Sequence, residues 1–268
     1  MLDHERLKSL TIAAIWQAYR RGRITAGQAA AASRVVWPAT PRILGESVKV
    51  RKGEKLGVLT AVLYLAPATA SVVYGGANLC PFASRGCAAA CLGEHSGRMR
   101  FSQSGNARAW KTLAFRYARS AFLEQLDTEI RSHARTAARK GLIPAVRLNG
   151  SSDIDWSARA ELHPTVRFYE YTKSRARALA TETLPPNLHY TFSADERTSE
   201  AEIRYTVRRG VNVAIVFESR PEEYLGIPVI DGDESDVRFG DPVGCIVGLS
   251  SKGGPAKADA SGFVVRAE

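Results

Sequence analysis

Three cysteines stand within twelve residues, in Cys80-Pro-Phe-Ala-Ser-Arg-Gly-Cys87-Ala-Ala-Ala-Cys91. Thiols this close in sequence can converge on one small metal centre, and Gly75, Gly76 and Gly86 give the backbone freedom to wrap it. In a reducing compartment such a group binds metal rather than forming disulfides. Three local ligands leave one coordination position for water, a substrate or a fourth residue, so the loop suits chemistry as well as structure. Zinc would complete its tetrahedron with a further Cys or His. The available ones are Cys245, within an apolar strand where a free thiol acts as a small core residue, and the lone His95. An iron–sulfur cluster therefore stands first, with zinc as the alternative.

The elements that must hold this loop follow from periodicity. From Gly57 onward, buried-strand patterns alternate with helical ones, which predicts an α/β fold on a parallel sheet, a partial (β/α) barrel of about six strands. The strands are expected at Gly57–Leu65, Pro144–Leu148, Val166–Tyr171, Leu188–Phe192, Val211–Phe217, a short Ile227–Ile230, and lastly Gly244–Leu249. A long helix or helix pair is predicted over Gln103–Arg139, with helices at Ser174–Thr181 and Glu200–Arg209. Before them, Leu7–Tyr19 and Thr25–Val35 read as a helical hairpin around a basic turn, Arg20, Arg21 and Arg23. Packed on the main domain it is an amphipathic support; on a phosphate backbone it would resemble a small helix-turn-helix. The division expected is 1–45 for the hairpin and 46–268 for the α/β domain, with the cysteine loop at 78–97.

Active sites of parallel α/β proteins form at the carboxyl ends of strands, and here those ends are rich in polar residues. Arg147 at the end of the second strand and Asn149, Ser151, Ser152 and Asp153 after it would make one polar wall, with Asn149, Ser151 and Asp153 on a cofactor; the bland alternative is an Asx turn capping a helix. Tyr171 ends the third strand and Lys173 follows it, Lys173 suited to a phosphate or carboxylate. Ser193, Asp195 and Glu196 follow the fourth, of which Ser193 is counted as a cofactor contact. Lys252 follows the last and is a secondary anion contact. Asp231, Asp233 and Asp236 have a metal-like spacing without the downstream Glu of a calcium loop, and read as a solvated acidic loop. The five histidines form no ligand pair, and no Ser/His/Asp set suggests hydrolysis.

A cysteine-rich loop directly after the first strand of a parallel array resembles the radical S-adenosylmethionine (SAM) superfamily, in which three thiolates bind a [4Fe-4S] cluster and SAM chelates its fourth iron. The spacing differs, with six and three intervening residues here against three and two there. From about Leu79 to Gly253 the chain more specifically resembles a family of bacteriophage and prophage proteins, the gene product eighty-eight type. That resemblance rests on Cys-Pro-x-Ala-Ser-x-Gly-Cys, on Arg147-Leu-Asn-Gly-Ser-Ser-Asp153 and on Tyr171-Thr-Lys173. It implies a cluster and a mobile-element origin rather than a particular reaction.

Composition bounds the partners. Lys and Arg exceed Asp and Glu by 37 − 27 = 10, which favours nucleotides or nucleic acid, though a basic surface also serves solubility. No apolar run reaches the roughly 20 residues of a membrane span, and no secretory signal is read, so the expectation is a cytoplasmic protein without a membrane partner. The function expected is that of a radical-SAM-like enzyme acting on a nucleotide or nucleic acid. The alternatives are a non-enzymatic nucleic-acid-binding protein with a structural or redox-sensing metal, and an interaction protein that remodels a host complex.

Overall fold

The computed structural model describes residues 4–46, 52–95 and 97–266. Helices α1 (His4–Arg20) and α2 (Ala26–Ser33) form the N-terminal hairpin. Thr25 starts α2 with a capping box, its hydroxyl accepting from Gln28 N while the Gln28 side chain accepts from Thr25 N. Ile15, Ile24, Ala29 and Ala32 close on Leu113 of the following domain, so the apolar face of the hairpin is packed. The exposed Arg20, Arg21 and Arg23 stay on its turn. The boundary expected at 45 and 46 runs into residues 47–51, which lie outside the described residues, as do 1–3 and residue 96 of the cysteine loop.

Ten strands form one sheet among the described residues. They are β1 (Leu44–Gly45), β2 (Val58–Leu63), β3 (Ile143–Arg147), β4 (Arg167–Thr172), β5 (Leu188–Ser193), β6 (Val213–Phe217), β7 (Glu223–Tyr224), β8 (Ile227–Asp231), β9 (Ile246–Ser250) and β10 (Val264–Val265). The order is β1-β2-β3-β4-β5-β6-β9-β8-β7. From β2 to β8 every pairing along that path is parallel, while β1 and β7 run antiparallel as the two edges, so the sheet is open. Strand β6 is shared: Val213 and Ala214 pair with β5, and Val216 and Phe217 with β10.

Alternation along the strands sorts the two faces. Leu63, Val146, Phe168, Phe192 and Ile215 join the main core with α5 (Ser102–Tyr117) and α6 (Arg119–Arg139), whose Phe122, Leu126 and Ile130 make one apolar stripe. Helices α7 (Ser157–Leu162), α8 (Arg175–Leu179) and α9 (Glu200–Arg208) complete this layer through Ala160, Ala178 and Ile203. On the other face Val58, Ala145 and Tyr169 meet Val237 and Phe239 from the segment after β8.

The α/β class and its parallel sheet are therefore present, with two corrections to the expected array. Among the described residues eight strands rather than about six have parallel pairings, β2 to β6 and β8 to β10, and β10, not residues 244–249, is the last. The omitted β1, β7 and β10 have two residues each, too few for alternation to register. No described helix is long and apolar enough to cross a membrane.

Candidate functional site

A cavity of about 260 Å³ opens at the carboxyl ends of the strands, and Cys80, Cys87 and Cys91 all line it. Short polar contacts shape the loop that carries them. Asn78 Oδ1 accepts from Cys80 N at 2.8 Å, and Ala83 N closes a turn onto the Cys80 carbonyl. Ser84 caps α3 (Arg85–Ala89), its hydroxyl accepting from Cys87 N. The Cys91 carbonyl accepts from Glu94 N and His95 N as α4 (Leu92–His95) begins. Glu196, from the loop after β5, accepts from Ser84 Oγ at 2.6 Å and Gly86 N at 2.8 Å and so ties α3 across the cavity mouth.

Burial, opposed by the backbone N–H groups of Ala68 and Gly93 and aided by the neighbouring thiols, pushes Cys80 up to about 12 and Cys91 up to about 11. Cys87 is also raised by burial, against the opposing pull of Lys173. Cys80 Sγ accepts from Ala68 N at 3.4 Å and donates to Ser151 O at 3.7 Å. Among the described residues no three Cys, His, Asp or Glu side chains are drawn together tightly enough to hold a single metal ion.

Every other residue singled out for a cofactor or substrate also lines this cavity: Arg147, Asn149, Ser151, Asp153, Tyr171, Lys173, Ser193 and Lys252. Most of their polar atoms hold one another. Asn149 Oδ1 accepts from Ser152 Oγ, Ile154 N and Trp156 Nε1, while its amide donates to Ile154 O. Ser151 Oγ donates to Leu65 O. Asp153 accepts from Thr172 Oγ1, Lys173 N and Arg177. Lys173 Nζ donates to Ser193 Oγ and to the Ser193 and Ala194 carbonyls, 5.2 Å from the Phe263 ring centroid.

Arg147 pairs with Asp236 at 3.0 Å and lies over the Tyr171 ring. Burial opposes its charge, but Asp236 and the tyrosines around it raise its pKa above that of a free arginine. Among the described residues, its Nε and the Tyr171 hydroxyl are buried without a hydrogen-bond partner. The three aspartates of the acidic segment do not converge: Asp231 pairs with Arg220, Asp233 with Lys252 and Asp236 with Arg147. Neither proposed fourth ligand lines the cavity. Cys245 precedes β9, at the opposite strand end, and bonds to Pro242 O, while His95 is exposed.

Sequence reasoning missed the apolar wall of Val216, Leu249, Ala256 and Phe263. It also missed Glu170, fully buried in β4, whose carboxylate accepts from Leu148 N and Asn149 N and orients the start of the polar wall. A lone acidic residue in an aromatic strand was the signal for Glu170; nothing local marks Phe263.

No curated protein and no solved structure matches the chain significantly. A family model described as Gene product 88 matches residues 43–267, most of the sequence, and the chain belongs to the gene product 88 family.

Proposed function

We propose that this is a radical-SAM-like iron–sulfur protein in which Cys80, Cys87 and Cys91 hold a [4Fe-4S] cluster and the cavity beside them receives SAM and a nucleotide or nucleic-acid substrate. The observation that carries the reading is the convergence of three thiols, but no imidazole, on one cavity at the carboxyl ends of parallel strands. The donor set fits a cluster better than zinc. Tetrahedral zinc at about 2.3 Å from each thiolate needs sulfurs roughly 3.8 Å apart. A cluster spreads its thiolates over separate irons and so tolerates thiols not gathered around one point. When bound, a cluster with an open iron supplies an electron to a sulfonium ligand. The chain's own part is recognition: among the described residues Tyr171 OH and Arg147 Nε have no hydrogen-bond partner and are suited to ligand oxygens, while Val216, Leu249 and Phe263 exclude water. The partial-barrel comparison is supported by strands β2 to β6 following one another in chain order across the sheet.

Anaerobic purification with iron, sulfide and zinc analysis, and electron paramagnetic resonance with and without SAM, tests this. About four irons per chain and a SAM-perturbed signal are expected, both lost in Cys87→Ser. One zinc without broad visible absorption would sink the cluster. A second reading, a non-enzymatic nucleic-acid-binding protein, is favoured by one observation: Trp16 and Tyr19 form an exposed edge-to-face pair beside the basic hairpin turn. It predicts nucleic-acid binding that is lost when Arg20, Arg21 and Arg23 are replaced.

A further inference from the structure

Asp153 lines two cavities. On the side away from the thiols lies a second cleft, of about 390 Å³, and the Asp153 N to Leu79 O hydrogen bond helps to form the partition. Three arginines from three helices line this cleft: Arg116 in α5, Arg119 at the start of α6 and Arg177 in α8. The break between α5 and α6 at Ala118 brings the first two to one wall. Arg177 is engaged by Asp153 at 2.7 Å. Arg116 and Arg119 are exposed, and among the described residues neither has a carboxylate partner; Arg119 instead lies 4.2 Å from the Phe115 ring centroid. The two carboxylates of the cleft are committed to protein donors, Asp153 as above and Asp155 to Ser157 N. Beside Pro81 on the rim, Phe82 is 40% exposed, with the Arg177 guanidinium 5.5 Å from its ring and Arg197 donating to its carbonyl.

We propose that this cleft binds the phosphate backbone of a single-stranded nucleic acid, with Arg116 and Arg119 on phosphates and Phe82 stacked on a base. Exposed guanidiniums without carboxylate partners among the described residues, held against the Tyr117 and Phe115 rings in a concave groove beside an exposed aromatic ring, are what a single strand requires. A duplex keeps its bases stacked inside and cannot use Phe82. The inference rests on nucleic acid being the partner, as proposed above, and not on the cluster.

The test is fluorescence anisotropy of the full chain with a labelled single-stranded oligonucleotide across a salt series. Wild type is expected to bind the single strand at least about tenfold tighter than a duplex of equal length. Arg116→Ala/Arg119→Ala should weaken binding about tenfold or more at about 50 mM salt and flatten the log–log salt slope by about 1.4, the loss of two phosphate contacts. Phe82→Ala should weaken it about tenfold with the slope unchanged. A melting curve like that of wild type shows that the double variant is folded. Binding that the double variant leaves intact overturns the cleft while nucleic-acid recognition stands, above all if Arg20→Ala/Arg21→Ala/Arg23→Ala abolishes it. No binding even at low salt removes both. Equal competition by polyglutamate points to an acidic protein partner and also overturns the proposal.

Discussion

Asn149 is only 3% exposed and satisfies three donors with one oxygen, so truncating it strands Ser152 Oγ, Ile154 N and Trp156 Nε1 in the interior. Asn149→Ala should cost about 2–4 kcal/mol in urea denaturation; a loss below about 1 kcal/mol would mean that water replaces the amide. Glu170 gives a pH signature. Burial raises its pKa from 4.5 to about 8, against the opposing bonds from Leu148 N and Asn149 N and the charge of Arg147. The folded state thus holds the proton more tightly than the unfolded one. Its contribution to stability is complete below the unfolded value and lost as pH rises through about 8. The urea midpoint should fall between pH 6 and 9, and Glu170→Gln, whatever its absolute stability, should lack that component; identical slopes would rule it out. Of the residues whose type announces chemistry, legible as such in the sequence, the three loop cysteines and most of the polar residues at the strand ends line one cavity, while Asp195, Glu196 and Asp231 do not. What each polar atom does was not legible. Asn149, Ser151 and Asp153 turn out to have partners in their own or adjacent loops, a matter of dihedral angles that residue type does not encode.

Helix α3 sits on the segment that closes the cavity, and Gly86 is the point of contact. A Cβ there would overlap Ser261 Oγ and come within 2.6 Å of Phe263 Cβ. Gly86→Ala should therefore destabilise by about 1–3 kcal/mol and loosen the wall, read as a lower melting temperature. Glu196→Ala acts on the same element by another route. It releases Ser84 Oγ and Gly86 N, so on the proposed cluster reading the variant should retain about half the iron of wild type or less on gel filtration, with the melting temperature changed only slightly. Loss of fold rather than iron would make Glu196 a core residue instead of a tether. Strands β2 to β6 and β9 were readable because five or six consecutive residues carry a buried pattern; the helix pair was readable from the stripe now seen on α6. The two-residue strands and α3 and α4 were not, because they exist through pairing with distant partners: Gly86 meets Glu196, and Val264 meets Val216.

Across the whole molecule, Leu113 joins the hairpin to the α/β domain: it is 1% exposed and packs on Ile15, Ile24, Ala29 and Ala32. Leu113→Ala should cost about 2–5 kcal/mol, and far-ultraviolet circular dichroism and tryptophan fluorescence should report one coincident transition in both proteins. Two separated transitions would show that the hairpin melts on its own. The shared strand β6 carries a consequence in the order of events during synthesis. The thiols at 80, 87 and 91 emerge long before Ala256 and Phe263, and the sheet from β2 to β6 can assemble as the chain lengthens. The far half of β6 must wait for β10, whose docking brings the last wall of the cavity into place. Until then the thiol loop faces an open trough, and on the cluster reading proposed above an inorganic group enters more readily before β10 docks than after it.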